Sequence, residues 1–396
     1  MTKVAVVGGG IGGIFTAIQL AKDPCIEVDV YERNEGILKG PPYCHLHAGG
    51  FLYPDISIMD AQALFHHAML FAEYFKDALI ERPCIIAYNA AAPYNTNDLL
   101  YRCKVIEYLY NCLKSIHKTP FGPVDQFYCV YTQRDVEYYR EHGKLAVNTG
   151  RSHDPYVETF IKSLKDPDSI KYPFVSVLEY GIDQDIVERT LFEQVRKSPR
   201  IKLYTRIEAN IKELSQKYLV VINATGPYTA GPEDILEYKS AWMICSPSQA
   251  NVPETSIIGT RGTNNGTLQI TPVGDGLFQV HCMTLNSSVI YQFRGQVPPV
   301  PKMELCKRAQ IALDTMRRYY NCYEDAYIAP TVARGGTQRV PKSHISHRVS
   351  SATLAQGDNV ITLCLVKAMS IVHVYKNIVQ KYVYQILRRH QCTDTV

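Results

Sequence analysis

The stretch that decides the fold is Val4-Ala5-Val6-Val7-Gly8-Gly9-Gly10-Ile11-Gly12-Gly13, continued by Ile14-Phe15-Thr16-Ala17-Ile18-Gln19-Leu20-Ala21. Four apolar residues in a row read as a strand buried on both faces, as in a parallel sheet. Gly8, Gly10 and Gly13 satisfy G-x-G-x-x-G directly after it. Ile14, Phe15, Ala17, Ile18, Leu20 and Ala21 then recur at helical spacing, and Asp23-Pro24 stops the helix. A second strand, Glu27-Val28-Asp29-Val30-Tyr31, ends at Glu32, 19 residues beyond Gly13.

Each residue type has a physical task in that arrangement. Gly8 permits the tight strand-to-helix turn, Gly10 lets a pyrophosphate approach the backbone, and Gly13 allows close helix–strand packing. The helix start offers free N–H groups to phosphates from Ile11, Gly12 and Gly13. Glu32, with Arg33 beside it, stands where a carboxylate accepts hydrogen bonds from ribose hydroxyls and disfavours a 2′-phosphate. A dinucleotide site follows, with NADP disfavoured as its ligand.

Composition narrows the rest. The 396 residues suit two or three domains, or one large domain carrying an insertion. Hydrophobic residues at 46% and charged residues at 20% supply a core and exclude disorder as the dominant state. A net charge of +4 without a basic block argues against nucleic acid as the main partner. Twelve cysteines with no C-x-x-C pair exclude a zinc ribbon and disfavour a disulfide framework. The apolar run from Val4 to Ala21 is too rich in glycine for a membrane helix, and no other run reaches a span. These features read as a soluble, cytoplasmic chain with reduced thiols. Nothing in the sequence bears on oligomeric state.

The glycine motif alone does not choose between FAD and NAD; segments downstream do. Leu219-Val220-Val221-Ile222-Asn223-Ala224-Thr225-Gly226 is a buried strand ending in N-A-T-G. Before it come a helix capped by Asp183, a strand Ile201-Lys202-Leu203-Tyr204 and a segment around Ile207. Cys44-His45-Leu46-His47-Ala48-Gly49-Gly50 follows Glu32 at short distance. On these residues the chain resembles the D-amino-acid-oxidase-like family of FAD-dependent oxidoreductases. The resemblance implies FAD, with the Ile207 backbone at adenine, and with Ala224, Thr225 and Gly226 near the flavin. It also implies that His47, Ala48 and Gly49 pass beside the pyrophosphate and ring. The His47 loop is similar to that of dimethylglycine-dehydrogenase-type relatives, in which a histidine bonds covalently to FAD. A second G-x-G-x-x-G behind a strand is absent, which removes a separate NAD(P)H domain.

The expected fold is α/β: a Rossmann-like FAD-binding domain of the glutathione-reductase type carrying an inserted, mainly antiparallel substrate domain. The FAD-binding part is expected over 1–85, 174–237 and 331–396, and the substrate part over 86–173 and 238–330. A helix is expected from Asp60 to Phe75. From Cys84 to about Pro173 the tyrosine-rich sequence suggests little regular helix, and Tyr238–Pro330 reads as β-rich. Leu268–Thr271 and Leu277–Met283 flank an Asp275-Gly276 hairpin turn. Asn359–Leu365 reads as a strand, followed by a long helix from Ile371 to Arg389.

Candidate chemistry is sparser. In the family the last helix points at the flavin pyrimidine edge from a glycine-rich turn, whereas this chain has Val366-Lys367-Ala368-Met369-Ser370. Lys367 is either a surface lysine at a helix start or a cation that stabilises anionic reduced flavin. Arg334-Gly335-Gly336-Thr337-Gln338-Arg339 lies where the family often carries a substrate-facing arginine, which makes Arg339, then Arg334, candidates for a substrate carboxylate. His281, alternating with Gln279 and Met283 on a strand, is a candidate polar or acid–base group, and Tyr228 is a further one. A metal site is rejected, because adjacent residues on an extended chain such as Cys44 and His45 point apart. The reading is a FAD-dependent oxidoreductase taking a hydride from a small amine, amino acid or hydroxy acid, with oxygen or a quinone-type acceptor. An NAD-dependent dehydrogenase and a non-catalytic FAD-binding or sensor protein are the alternatives.

Overall fold

Thr2–Val7 takes the centre of a six-stranded sheet, between Val220–Asn223 on one side and Ile26–Glu32 on the other. Both neighbours run parallel to it, with Val6 opposite Ile222 and Val30. Ile201–Thr205 extends one edge, while Val360–Cys364 and then the antiparallel Ser351–Leu354 extend the other. The unbroken apolar run has its cause here: Val4, Ala5 and Val6 are covered on both faces. The chain leaves the first strand towards one side and reaches the other side only at Val220. The carboxyl end of Thr2–Val7 is therefore a topological switch point, where open parallel sheets bind ligands. The computed structural model describes residues 1–38, 50–117, 120–146, 152–226, 235–247, 253–260, 262–287, 292–293, 302–329, 334–340, 351–354 and 359–393.

A second, larger sheet is antiparallel except where Glu254–Ile258 runs parallel to Cys84–Asn89. From that pair it continues through Ile170–Val177 to Tyr128–Tyr131 in one direction. In the other it passes through Leu268–Gly274 and Leu277–Cys282 to Ile235–Cys245. The expected hairpin forms, with Asp275 and Gly276 both at positive φ. Arg334–Val340 pairs with Ile235–Cys245 inside this second sheet. One face carries a core of its own, built on Ile85, Ala87, Trp242, Ile257, Ile270 and Val280. The other face meets the first layer: Cys84, Ile86, Tyr88, Val175, Val177 and Ile258 share a core with Ile14, Phe15, Phe51 and Phe65.

The expected scarcity of helix between Cys84 and Pro173 is corrected. Thr96–Leu113, Gln133–His142 and Asp154–Ser163 are helices. The first buries Leu99, Cys103, Ile106 and Tyr110, so cysteine and tyrosine fill places in a stripe that leucine would have made obvious. The second buries only Val136 and is held at its start by a Thr132–Asp135 capping box. Lys302–Tyr319 is a further helix within the stretch expected to be β-rich. Ala309 and Ala312 open the buried stripe that Leu313, Met316 and Tyr319 continue, which weakens the apolar signal.

Candidate functional site

The turn after Thr2–Val7 is built to leave space. Gly8 has φ +108°, and a methyl group on it would overlap the Ala224 carbonyl. A methyl on Gly13 would overlap the Gly8 carbonyl oxygen, so helix and strand touch backbone to backbone. At Gly10, by contrast, a methyl would meet nothing within 4 Å. Gly10 is also the N-cap of the Ile11–Leu20 helix and supplies no side chain to satisfy it. The first intrahelical bond runs from Ile14 N–H to Gly10 at 2.9 Å, leaving the N–H groups of Ile11, Gly12 and Gly13 ahead of the ladder. Open space over three such donors and the positive end of a helix dipole suits a pyrophosphate.

Three further segments ring that space. Glu32 is 8% exposed; its Oε2 accepts the Gly9 N–H at 2.7 Å and its Oε1 accepts the Asn34 N–H at 2.8 Å. Ile207 donates its N–H to the Glu32 carbonyl at 3.0 Å, placing it at the rim expected for adenine, while Arg33 is exposed beside it. Ala224 donates to the Val7 carbonyl at 2.8 Å, and Thr225 folds over Asn223 through a 2.9 Å hydroxyl–amide bond. Gly226, at φ +65°, then turns the chain away. On the remaining side Lys367 caps a tight turn, its carbonyl accepting the Ser370 N–H at 3.0 Å, before the C-terminal helical run opens at Ile371. Leu365, just before it, packs against Gly12. The turn has no glycine, and it is joined to the helix start through Leu365.

The second sheet turns a row of buried polar side chains towards the first layer. Ser256, Gln269, Thr271 and Gln279 are buried and His281 half-buried. They share a face, because Ser256 is opposite Gln269, Gln269 opposite His281, and Thr271 opposite Gln279. Tyr53 reaches the row, its hydroxyl donating to Gln269 Oε1 at 3.3 Å. Sequence reasoning found only His281. The other members were signalled by the period-two alternation in Leu268-Gln269-Ile270-Thr271 and in Phe278-Gln279-Val280-His281. Together they give this face of the sheet a polar lining on the side of the first layer.

No family model matches the chain, and no curated protein matches it in sequence. Solved structures do. Glycine oxidase from Geobacillus kaustophilus superposes with a TM-score of 0.61 at 14% identity, over 98% of this chain and 95% of that one. L-amino acid deaminase from Proteus vulgaris gives 0.62 at 12% identity, over 97% and 94%. L-proline dehydrogenase from P. horikoshii gives 0.61 at 13%, over 96% and 94%. The chain has the D-amino-acid-oxidase-like fold.

Within the D-amino-acid-oxidase-like fold the remaining sequence candidates fall as follows. Arg334 stands opposite Ala241 in register and Arg339 opposite Leu236. These register positions are an odd number apart, so they belong to opposite faces of the strand. The Ala241 position shares its face with Met243, which is opposite Gln279. His47, Ala48, Gly49 and Tyr228 lie outside the described residues. Among the described residues no cluster of His, Cys, Asp or Glu has the geometry to hold a metal ion. No helix there is long and apolar enough to cross a membrane.

The start of the C-terminal helical run rests on a histidine. His67, on the Ile58–Tyr74 helix, shares a 3.0 Å hydrogen bond between Nδ1 and Ser370 Oγ and lies against His373, with ring centroids 3.9 Å apart and planes tilted by 32°. Burial, then the neighbouring His373 and His66, push its pKa down to about 3. Below about pH 6.5 the unfolded chain takes up a proton that folded His67 refuses. Its contribution to stability is complete above that pH and is lost as the pH falls towards 3. Denaturant melts at stepped pH should show up to about 1.4 kcal/mol lost per pH unit from this group. His67→Asn should flatten that slope; an unchanged slope would remove His67 from the account.

Proposed function

We propose that the chain is a FAD-dependent oxidoreductase that removes a hydride from a small amine, amino acid or hydroxy acid and passes the electrons to oxygen or a quinone-type acceptor. The observation that carries this reading is the open space over Gly10, at an uncapped helix start, with Glu32 and Ala224–Gly226 on its rim. The residues fit the cofactor. Ile11, Gly12 and Gly13 offer N–H groups to the pyrophosphate, Glu32 takes the ribose hydroxyls, and the Ile207 backbone borders adenine. FAD bound there supplies a two-electron acceptor for a C–H bond. Lys367 holds a cation at the end where the pyrimidine edge would lie, favouring negative charge there.

The substrate's place is between that ring and the row of Gln269, Gln279 and His281, which orient its polar end. The six-stranded sheet with its helices is then the FAD-binding part, and the larger sheet the substrate part. Ten described cysteines carry free thiols, which supports a reducing, cytoplasmic compartment.

Purified protein should be yellow, and its colour should bleach anaerobically with one member of a panel of amines, amino acids and hydroxy acids. A yellow protein that no member bleaches would favour a FAD-holding sensor, and a colourless one that resists reconstitution would overturn the reading. The register also ranks the arginines. For a carboxylate substrate, Arg334→Ala should raise KM about 100-fold, the value of one charged hydrogen-bonded pair. Arg339→Ala should change it less than threefold, and the reverse order would contradict the face assignment.

A further inference from the structure

We propose that the outer face of the C-terminal helix is a docking surface for an anionic phospholipid bilayer, to which the chain attaches peripherally.

The charge distribution along the chain is uneven. Between 366 and 393 stand five lysines and arginines, Lys367, Lys376, Lys381, Arg388 and Arg389, and not one aspartate or glutamate. The whole protein has a net charge of +4, so this segment holds more than the entire positive excess and the remainder is slightly acidic. The five are too dispersed in sequence to read as a basic run. The helix gathers them.

Gln380–Thr393 is an α-helix that continues the π-helical turn Tyr375–Val379. Val379, Val383 and Ile386 are buried in the core that contains Phe15. On the other side Lys381, Tyr384, Gln385 and Arg388 are exposed at helical spacing, with Lys376 and Arg389 extending the row at its ends. Lys376, Lys381, Tyr384, Arg388 and Arg389 line one open groove of about 970 Å³. Lys376, Lys381 and Arg388 form no ion pair among the described residues. The carboxylate at the edge of the row, Asp23, accepts the Tyr384 hydroxyl at 3.0 Å. Lys22, next to Asp23, has its pKa lowered by burial and then by the charge of Lys376, so cations crowd here.

Cations held on one face without carboxylates repel one another, and an anionic surface relieves that repulsion. Two features favour a bilayer over a polynucleotide or an acidic protein. Tyr384 stands one helical turn from both Lys381 and Arg388, so an aromatic ring and long aliphatic stems share the face with the charges. Such a mixture suits the headgroup level of a membrane, where stems turn inward and charges outward. The rest of the chain, moreover, is not basic, so contact stays on one face, as it does on a planar surface. A polynucleotide is held by more phosphate contacts than this face supplies.

Sedimentation with sucrose-loaded vesicles tests the assignment on the full chain. The vesicles are phosphatidylcholine alone, or phosphatidylcholine with about 30% phosphatidylserine. At about 0.1 M salt the protein should pellet with the second kind and not the first, and about 0.5 M salt should release it. Lys381→Gln combined with Arg388→Gln should weaken partitioning about 25-fold, about fivefold for each cation near the surface. Arg134→Gln combined with Lys144→Gln removes the same charge from other exposed positions and should weaken it less than about twofold. Equal pelleting with both vesicle types, none with either, or equal losses in the two double variants would overturn the docking surface. Tighter binding of a single-stranded oligonucleotide or of poly-glutamate than of the vesicles would overturn it too, giving the face to a polynucleotide or an acidic protein. Flavin content does not enter this readout, so a negative result leaves the FAD reading as it was.

Discussion

Gly13→Ala is expected to abolish flavin retention and to cost the protein about 3 kcal/mol of stability, the upper range for overpacking a well-filled site. Two effects oppose each other at this position. Alanine is about 1 kcal/mol better than glycine inside a helix, so propensity alone predicts a more stable protein. The added methyl would overlap the Gly8 carbonyl oxygen, an atom of fixed backbone that no side-chain rotation can remove. The overlap outweighs propensity, and the helix start must back away from the strand, carrying its N–H donors with it. Gly10→Ala makes the contrast: a methyl there meets nothing within 4 Å, and φ is an ordinary −73°. That variant should keep its melting curve within about 0.5 kcal/mol. It should nevertheless lose flavin affinity, because the methyl enters the space reserved for the pyrophosphate. Thermal melts and FAD titrations on both variants separate the two roles, and equal behaviour would contradict the assignment.

Glu32→Ala should combine a fall in stability of about 2 kcal/mol with a roughly 100-fold rise in the FAD dissociation constant. The carboxylate does two jobs from one buried place. It ties the glycine turn to the end of the second strand through Gly9 and Asn34, the latter through both the backbone N–H and the side-chain amide at 2.6 Å. It also presents acceptor oxygens to a ribose. Removing it leaves the Gly9 N–H without its acceptor, a penalty of about 1–3 kcal/mol for a buried donor. Glu32→Gln keeps one oxygen and should fall between the two. A variant that loses stability but binds FAD normally would confine Glu32 to the structural job.

What could be read in the sequence was what backbone chemistry forces. Gly8 and Gly13 are required by positive φ and by backbone contact, so their spacing is visible in one chain without relatives. Glu32, the Asp183 cap and the Asp275-Gly276 turn are legible for the same reason: each answers a local demand. The helices at Thr96–Leu113 and Lys302–Tyr319 were not, because their stripes use cysteine, tyrosine and alanine. The polar row was half legible. Alternation marks Gln269 and Gln279 as sharing faces with Thr271 and His281, but only pairing across strands shows that the two faces are one. Glu179 carried no local signal at all, since the group it is buried against, the Gly50 N–H, is distant in sequence.

Calorimetric titration of the flavin-free protein with FAD tests the central claim most directly. Saturable binding at one site per chain, lost in Gly13→Ala, is the predicted result. Heats no larger than dilution, with protein shown to be folded by its melting transition, would contradict the whole account.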